Sequence, residues 1–357
     1  MREQSTFSNN EIKLICKEKY NISINNIEVI NKGNASIYKL TSNDDKQFIL
    51  KEFQSKYKEE DVERECRAVE YLRENTDIPL VKNIKTKDKK DCFTHNGRVV
   101  VLQEFINGYE YEKNECDYNR LIQSAKYLGK IIKGFKNYDV DKSFEVSEWF
   151  SNEEFEKANN KFDKILTLLK DNEIENKIKK DILLKKKLLI KIKDKIDLKD
   201  IELVTHSISH GDYSCLQLIY NDKDEVIAVL DLIKVKRLPI VWEIARSYSY
   251  ADSKAINGNI DMNNLIDYVK EVSNYIELNE YDYKYLPYIY LMQLARSPFG
   301  YEEYFKENVK NKQELLDFAL YRTNICENLY EKAEEISNIL LLNSKKDGEQ
   351  NTYKENY

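Results

Sequence analysis

Asp212, at the end of the run His210-Gly211-Asp212, is followed five residues later by Gln217 and nineteen residues later by Asp231. Transfer of a phosphoryl group from a metal-nucleotide needs this inventory: a carboxylate to orient a hydroxyl and accept its proton, and oxygen ligands for Mg2+. Asp212 suits the first role. Asp231, at the end of the apolar run Val226 to Leu230, suits the second, where a buried strand opens. Each has a plainer alternative, since Gly-Asp-Tyr-Ser is also turn chemistry and an aspartate often ends a strand. Gln217 carries an amide oxygen that Mg2+ accepts, although it reaches about 1.5 Å further than asparagine would, one C–C bond length. Octahedral Mg2+ tolerates such a displacement poorly, so the expectation is one metal held mainly by Asp231, or a rearranged second site. His206 and His210 lie four apart on an extended segment without a third ligand, so no metal pair is expected there.

The elements around these residues divide the chain. NNEIKLICKEKY (9–20) has helical spacing, and IEVINKG, ASIYKLTS and KQFILKEF alternate as strands, the last two joined by a polar turn suited to a hairpin. EEDVERECRAVEYLREN puts Val62, Cys66, Val69 and Leu72 on one helical face. Val99 to Leu102 then reads as a buried strand. The expectation is an antiparallel sheet with one helix across it. From about residue 117 the periodicity is mainly helical, including a charged helix pair over 152–195 whose Lys and Glu form a solvated face. Short strands interrupt at 203–231, helices resume from about 240 to 342, and the polar last fifteen residues are expected to be disordered.

Size and composition narrow the function classes. A chain of 357 residues buries a large core without disulfides or structural metal. Its 57 basic and 63 acidic residues nearly cancel, to a net charge of -6, which argues against a nucleic-acid surface. No apolar run is long enough to span a bilayer, the N-terminus lacks the apolar stretch of a signal peptide, and six scattered cysteines suggest neither a zinc site nor a disulfide framework. A cytoplasmic protein with no membrane or nucleic-acid partner is expected.

Taken together, the sheet-rich first third, the helical remainder and the loop His210-Gly211-Asp212 with Asp231 resemble the aminoglycoside phosphotransferase and choline kinase family of small-molecule kinases. That family has H-G-D-x-x-x-x-N followed by a strand ending in Asp. Gly211 stands where protein kinases carry Arg, and no D-F-G or A-P-E segment follows Asp231, which favours the small-molecule branch. The segment Pro239 to Arg246 is similar to the family's P-x-x-x-D-L-A, with Glu243 in place of Asp, and Ile233 replaces a further Asp found in many members.

The resemblance implies an α+β, two-lobed protein-kinase-like fold. It places a nucleotide-binding lobe at 1–106, a larger helical lobe with catalytic loop and acceptor site at 107–342, and a polar tail at 343–357. It implies an ATP- or GTP-dependent, Mg2+-dependent kinase acting on a hydroxyl of an amino sugar, amino alcohol or related metabolite. Asp212 would be its base, and Asp231 and Gln217 its metal ligands. His210 would brace the loop from beneath, and Glu243 would help to hold it. Lys51, in FILKEF, would contact the phosphates with Glu65, or Glu63, as ion partner; a surface lysine is the alternative. Gly33, in NKGNAS, would lie in the phosphate-covering turn. Gln103, Glu104 and Ile106 would supply backbone groups to the purine, a role set by position in the fold, since a plain core strand fits the residues equally. Acceptor candidates are Glu148, Trp149, Asp252, Tyr288, Tyr290, Arg296, Tyr301, Glu302 and Glu303, acidic groups and rings suited to a cationic amine or sugar. The competing reading is a non-catalytic binding or structural protein, like the kinase-like spore coat proteins of the same superfamily.

Overall fold

A computed structural model describes residues 3–30, 35–140 and 143–354, with side chains as far as 344. Gly33 lies outside the described residues. The chain splits into two compact units, Met1–Glu110 with Gln217–Val235, and Tyr111–Leu216 with Lys236–Tyr357.

In the first unit, Ser8 caps α1 (Asn9–Ile15): its hydroxyl accepts from the Glu11 N–H, and the Glu11 carboxylate accepts from the Ser8 N–H at 2.8 Å. The helix winds on as a π-helical turn, Cys16–Tyr20, and stops at Asn21 in the left-handed region. The strands β1 (Ile24–Ile30), β2 (Ser36–Ser42) and β3 (Gln47–Glu52) precede α2 (Glu59–Asn75). Then come β4 (Asn83–Ile84), β5 (Phe93–His95) and β6 (Arg98–Glu104). All pairs are antiparallel, in the order β1-β2-β3-β6-β4, with β5 also on β6.

Alternation along the strands divides the apolar residues between two faces. Tyr38, Leu40, Leu50, Val100 and Leu102 pack with Ile12, Ile15 and Cys16 of the N-terminal helical segment. Phe53, Val99 and Val101 pack with Val62 and Cys66 of α2. The crossing helix expected from the sequence is α2, and α1 covers the opposite face as well, because β6 is apolar on both sides.

The second half of the chain begins with α3 (Tyr118–Gly134), α4 (Asn152–Leu168), α5 (Glu173–Lys193) and α6 (Leu198–Ile201), followed by β7 (His206–Ser209). The hairpin β8 (Leu218–Tyr220) and β9 (Val226–Val229) comes next, then β10 (Lys236–Pro239), which pairs antiparallel with β7. The remainder is helical: α7 (Ile240–Ala251), α8 (Met262–Ser273), α9 (Glu280–Arg296), α10 (Tyr301–Tyr304) and α11 (Lys312–Lys354). The last helix thus runs into the polar stretch expected to be disordered, as a continuation of a helix whose earlier residues are anchored by packing.

The hairpin β8–β9, which the sequence reading places with the helical part, packs in the first unit. Val229 donates its N–H to the Pro79 carbonyl at 2.7 Å, and Tyr109 and Tyr220 exchange two backbone hydrogen bonds. Gly108 permits this approach, since a Cβ there would lie 2.5 Å from the Tyr220 carbonyl oxygen.

Much of the tyrosine content fills the second unit's core. Tyr213, Tyr248, Tyr268, Tyr285, Tyr290 and Tyr301 are fully buried, with hydroxyls satisfied internally, as where Tyr268 donates to Ser247 at 2.8 Å. All six cysteines are buried and unbridged. Among the described residues no helix is long and apolar enough to cross a membrane.

Candidate active site

Within the first unit, Lys51 of β3 shares a face with Phe53, and its Nζ lies 4.6 Å from that ring. The same Nζ is 2.6 Å from Asp231 Oδ1 and 3.7 Å from Glu65 Oε1. Glu65 sits three residues after Val62 on the apolar face of α2 and is 6% exposed, whereas Glu63 points to solvent. Helical spacing therefore selects Glu65 of the two glutamates. Burial opposes the charge on Lys51, but Asp231 and Glu65 outweigh it and raise its pKa. Glu65 is pushed above the usual carboxylate range by burial, with Lys51 pulling the other way. Lys51 is thus a firmly charged cation in a nearly dry setting.

Asp231 adopts a left-handed conformation (φ 62°, ψ 58°), which aspartate tolerates better than most residues, and a short 3-10 turn, Leu232–Lys234, follows it. Its side chain is 38% exposed and so available to a ligand. Ile233, at the position of the family's further Asp, packs against the cluster of Phe53 and Val62. Gln217 is half-buried at the end of the turn Cys215–Gln217. Its carbonyl accepts from Leu230, the residue before Asp231, at 2.9 Å.

The stretch expected to meet a purine is largely engaged in the sheet. Gln103 pairs with Ile49 and Asn83, and its side-chain amide donates to Asn83 at 2.8 Å. The Glu104 N–H donates to the Lys82 carbonyl at 3.0 Å, and the Phe105 N–H donates to Gln47. Of the three residues named from the sequence, Ile106 is the one whose N–H makes no hydrogen bond with any described residue.

Within the second unit, β7 leads into the fully buried His210, and Gly211 turns the chain with φ 80° so that Asp212 emerges half-exposed. Glycine is suited to that backbone, since a Cβ would be strained there. Two residues of α7 hold the loop. Glu243, fully buried, accepts the Tyr213 N–H at 2.9 Å. Arg246 donates through Nη2 to Asp212 Oδ1 and through Nη1 to the Tyr213 carbonyl at 2.8 Å. Burial works against the Arg246 charge, yet Asp212 and its other neighbours keep its pKa raised. Sequence reasoning singled out Glu243 but missed Arg246, three residues further along the same helix; the i, i+3 spacing within the quoted motif was the available signal.

His206 serves the structure: its Nδ1 lies 2.8 Å from the Val204 carbonyl and its Nε2 accepts from the Val146 N–H at 3.2 Å. Burial lowers its pKa, which keeps it neutral in that role. The acceptor candidates mostly scatter. Asp252 is buried and accepts from Tyr248 and Asn264, and Tyr301 is buried against Asp181 and Thr323. Glu303 caps Gly300, and Tyr290 meets Ser249. Trp149 and Arg296 come together, with the guanidinium 4.9 Å from the indole ring.

The antiparallel sheet with its crossing helix and the larger helical remainder form the protein-kinase-like α+β fold of small-molecule phosphotransferases. Spectinomycin phosphotransferase, solved with ADP and spectinomycin, is similar to 93% of this chain over 100% of its own, with a TM-score of 0.63 and 15% identity. Amicoumacin kinase, solved with AMP-PNP and Ca2+, matches 90% of this chain and 94% of its own at a TM-score of 0.61 and 13% identity. A microcompartment-associated aminopropanol kinase matches 92% and 99% at 0.61 and 12%. No protein-family model matches the chain, and no curated protein does.

Proposed function

We propose that the protein is an ATP-dependent, or GTP-dependent, kinase that transfers the γ-phosphoryl group to a hydroxyl of a small molecule. The observation that carries the reading is the meeting of Lys51, Glu65 and Asp231, residues 180 apart at the extremes, with Lys51 and Glu65 nearly buried and Asp231 open to solvent. A lysine kept charged in this way is suited to nucleotide phosphates, and the half-exposed Asp231 carboxylate is suited to a divalent cation. No group of three or more His, Cys, Asp or Glu side chains able to hold a metal occurs among the described residues, so a cation would rely on phosphate oxygens beside Asp231 and Gln217. Mg2+ bound there would offset the charge of the β- and γ-phosphates.

Asp212 takes the proton of the acceptor hydroxyl as that oxygen attacks the γ-phosphorus and the bond to the β-phosphate oxygen breaks. Glu243 and Arg246 fix the backbone on which Asp212 sits. The unpaired thiols fit a reducing, cytoplasmic setting.

A second reading, a kinase-like binding protein without turnover, is favoured by Ile233 packed into the core and by Gln217. Thermal shift with ATP and Mg2+ tests nucleotide binding, and nucleotide turnover across a panel of sugars and amines tests transfer. The enzyme reading requires turnover that disappears in Asp212→Asn. A nucleotide-induced shift without any Asp212-dependent turnover would leave the second reading in its place.

A further inference from the structure

Glu52, next to Lys51 on β3, is buried in the first unit, and among the described residues no cation pairs with it. Alternation sends its side chain to the α1 face of the sheet with Leu50, among apolar neighbours. A carboxylate taken out of water in this way is costly unless donors meet its oxygens. They come from a strap, residues 3–7, that crosses this end of the sheet before α1. The Thr6 N–H and hydroxyl donate to Glu52 Oε1 at 2.9 and 3.0 Å, the Ser5 hydroxyl donates to Oε2 at 2.6 Å, and the Tyr38 hydroxyl of β2 lies 3.4 Å from Oε2. Phe7 meets His95 of β5 edge-on at 5.4 Å and packs against the α1-side core.

The other end of the strap holds the connection from β3 to α2. Glu3 accepts the Ser55 N–H at 2.7 Å through Oε2 and the Ser55 hydroxyl at 2.6 Å through Oε1, and Arg98, at the start of β6, donates to the same carboxylate. Ser55 lies four residues before α2, the helix that brings Glu65 to 3.7 Å from Lys51. The strap thus ties β2, β3, β5 and β6 together at the end of the sheet that carries Lys51, and anchors the chain that leads to its ion partner. Gln4, Ser5 and Thr6 are themselves exposed, and apart from Phe7 the strap is held by polar contacts rather than by buried apolar area. Such a segment opens at far lower cost than the core beneath it.

Building on the phosphotransferase reading, we infer that residues 3–7 are a clasp that sets the Lys51–Glu65 pair, with Glu3 as a positioning residue for nucleotide binding. Seated, the clasp fixes Ser55 and with it the start of α2, so that Glu65 stands at Lys51. Released, it leaves Glu52 without its donors and the β3–α2 connection without its anchor, and the nucleotide phosphates meet a less ordered lysine. The coupling is reciprocal: ATP, which favours the ordered Lys51, favours the seated clasp by the same factor.

Glu3 is half-exposed, so its substitution should leave the core folded. Without nucleotide, hydrogen exchange on the full chain is expected to speed up about fivefold or more at the amides of residues 55–65 in Glu3→Ala, while those of β1 keep wild-type rates. Isothermal titration with ATP and Mg2+ is expected to show Kd raised about fivefold to tenfold in Glu3→Ala, and less in Glu3→Gln, whose amide oxygen still accepts from Ser55. In a Glu65→Gln background Glu3→Ala should add little, since the clasp acts through Glu65. A clasp that serves stability alone would lower the urea midpoint without moving Kd. Unchanged exchange at 55–65, an unchanged Kd in Glu3→Ala, or a loss that adds in full to that of Glu65→Gln overturns the proposal. Failure of the wild type to bind ATP would instead count against the phosphotransferase reading, and the exchange measurement, which uses no nucleotide, would still decide whether Glu3 holds α2.

Discussion

Arg246 grips the Asp212 carboxylate with one terminal nitrogen and the Tyr213 carbonyl with the other. The side chain proposed as the base and the backbone just after it are therefore tied to a single guanidinium on α7. A rigid fork of this kind limits the rotamers open to Asp212, and small misplacements of a reacting group cost rate steeply. Arg246→Met is expected to lower kcat about tenfold to a hundredfold. Arg246→Lys should recover only part of the loss, because an ammonium cannot reproduce the two-pronged contact. The ATP-induced thermal shift should stay as in wild type, since Lys51, Glu65 and Asp231 belong to the other unit. Unchanged kcat in Arg246→Met would mean that Glu243 alone fixes the loop.

Lys51→Met removes the cation from a cluster with two carboxylates and is expected to abolish the ATP-induced thermal shift. Glu65→Gln keeps the shape and Lys51 but withdraws one of its counter-charges, so nucleotide binding should weaken less, by about tenfold. Isothermal titration with ATP and Mg2+ checks both. Equal losses would indicate that Glu65 acts by more than orienting Lys51.

The parts of this arrangement visible in the sequence were those fixed by local pattern. Alternation around Lys51 and 3.6-residue spacing around Glu65 each give a face, and the two faces pack together on one side of the sheet. Asp212 and Asp231 were legible because short strands and turns bracket them. The Arg246 contact was not, because it depends on how α7 lies against a loop more than thirty residues earlier; the spacing from Glu243 marks a shared helix face but not what that face meets. The engagement of Glu104 with Lys82 was equally hidden, since strand pairing is decided by partners far along the chain. The 26 tyrosines read as core packing more than as an acceptor box, and Tyr213, Tyr248, Tyr268, Tyr285, Tyr290 and Tyr301 are fully buried.

Gln217 stands where the resembling family has asparagine, and its longer side chain fits an octahedral cation less well. Gln217→Asn is expected to lower the Mg2+ concentration for half-maximal turnover several-fold, with a smaller effect on the ATP concentration dependence. A metal titration of turnover at fixed ATP decides it. A rise in the Mg2+ requirement would show that the loop has adapted to glutamine.

Lys185 provides a test of stability, apart from chemistry. It is 1% exposed, and burial lowers its pKa from 10.5 to about 7, with Cys326 opposing, Arg322 adding and Asp181 opposing. Below about pH 7 the lysine is protonated in both folded and unfolded chains, so it adds no pH dependence. Between about 7 and 10.5 the unfolded chain binds a proton that the folded chain does not, so its contribution to stability rises with pH. That contribution is complete above 10.5 and is lost as pH falls through 7. The slope approaches about 1.4 kcal/mol per pH unit. Lys185→Met conserves volume and has no proton to exchange, so urea denaturation at pH 6.5, 7.5 and 8.5 should show the wild type gaining on the variant as pH rises. Parallel curves would mean that Lys185 stays charged inside the fold, held by the Leu294 and Ser297 carbonyls.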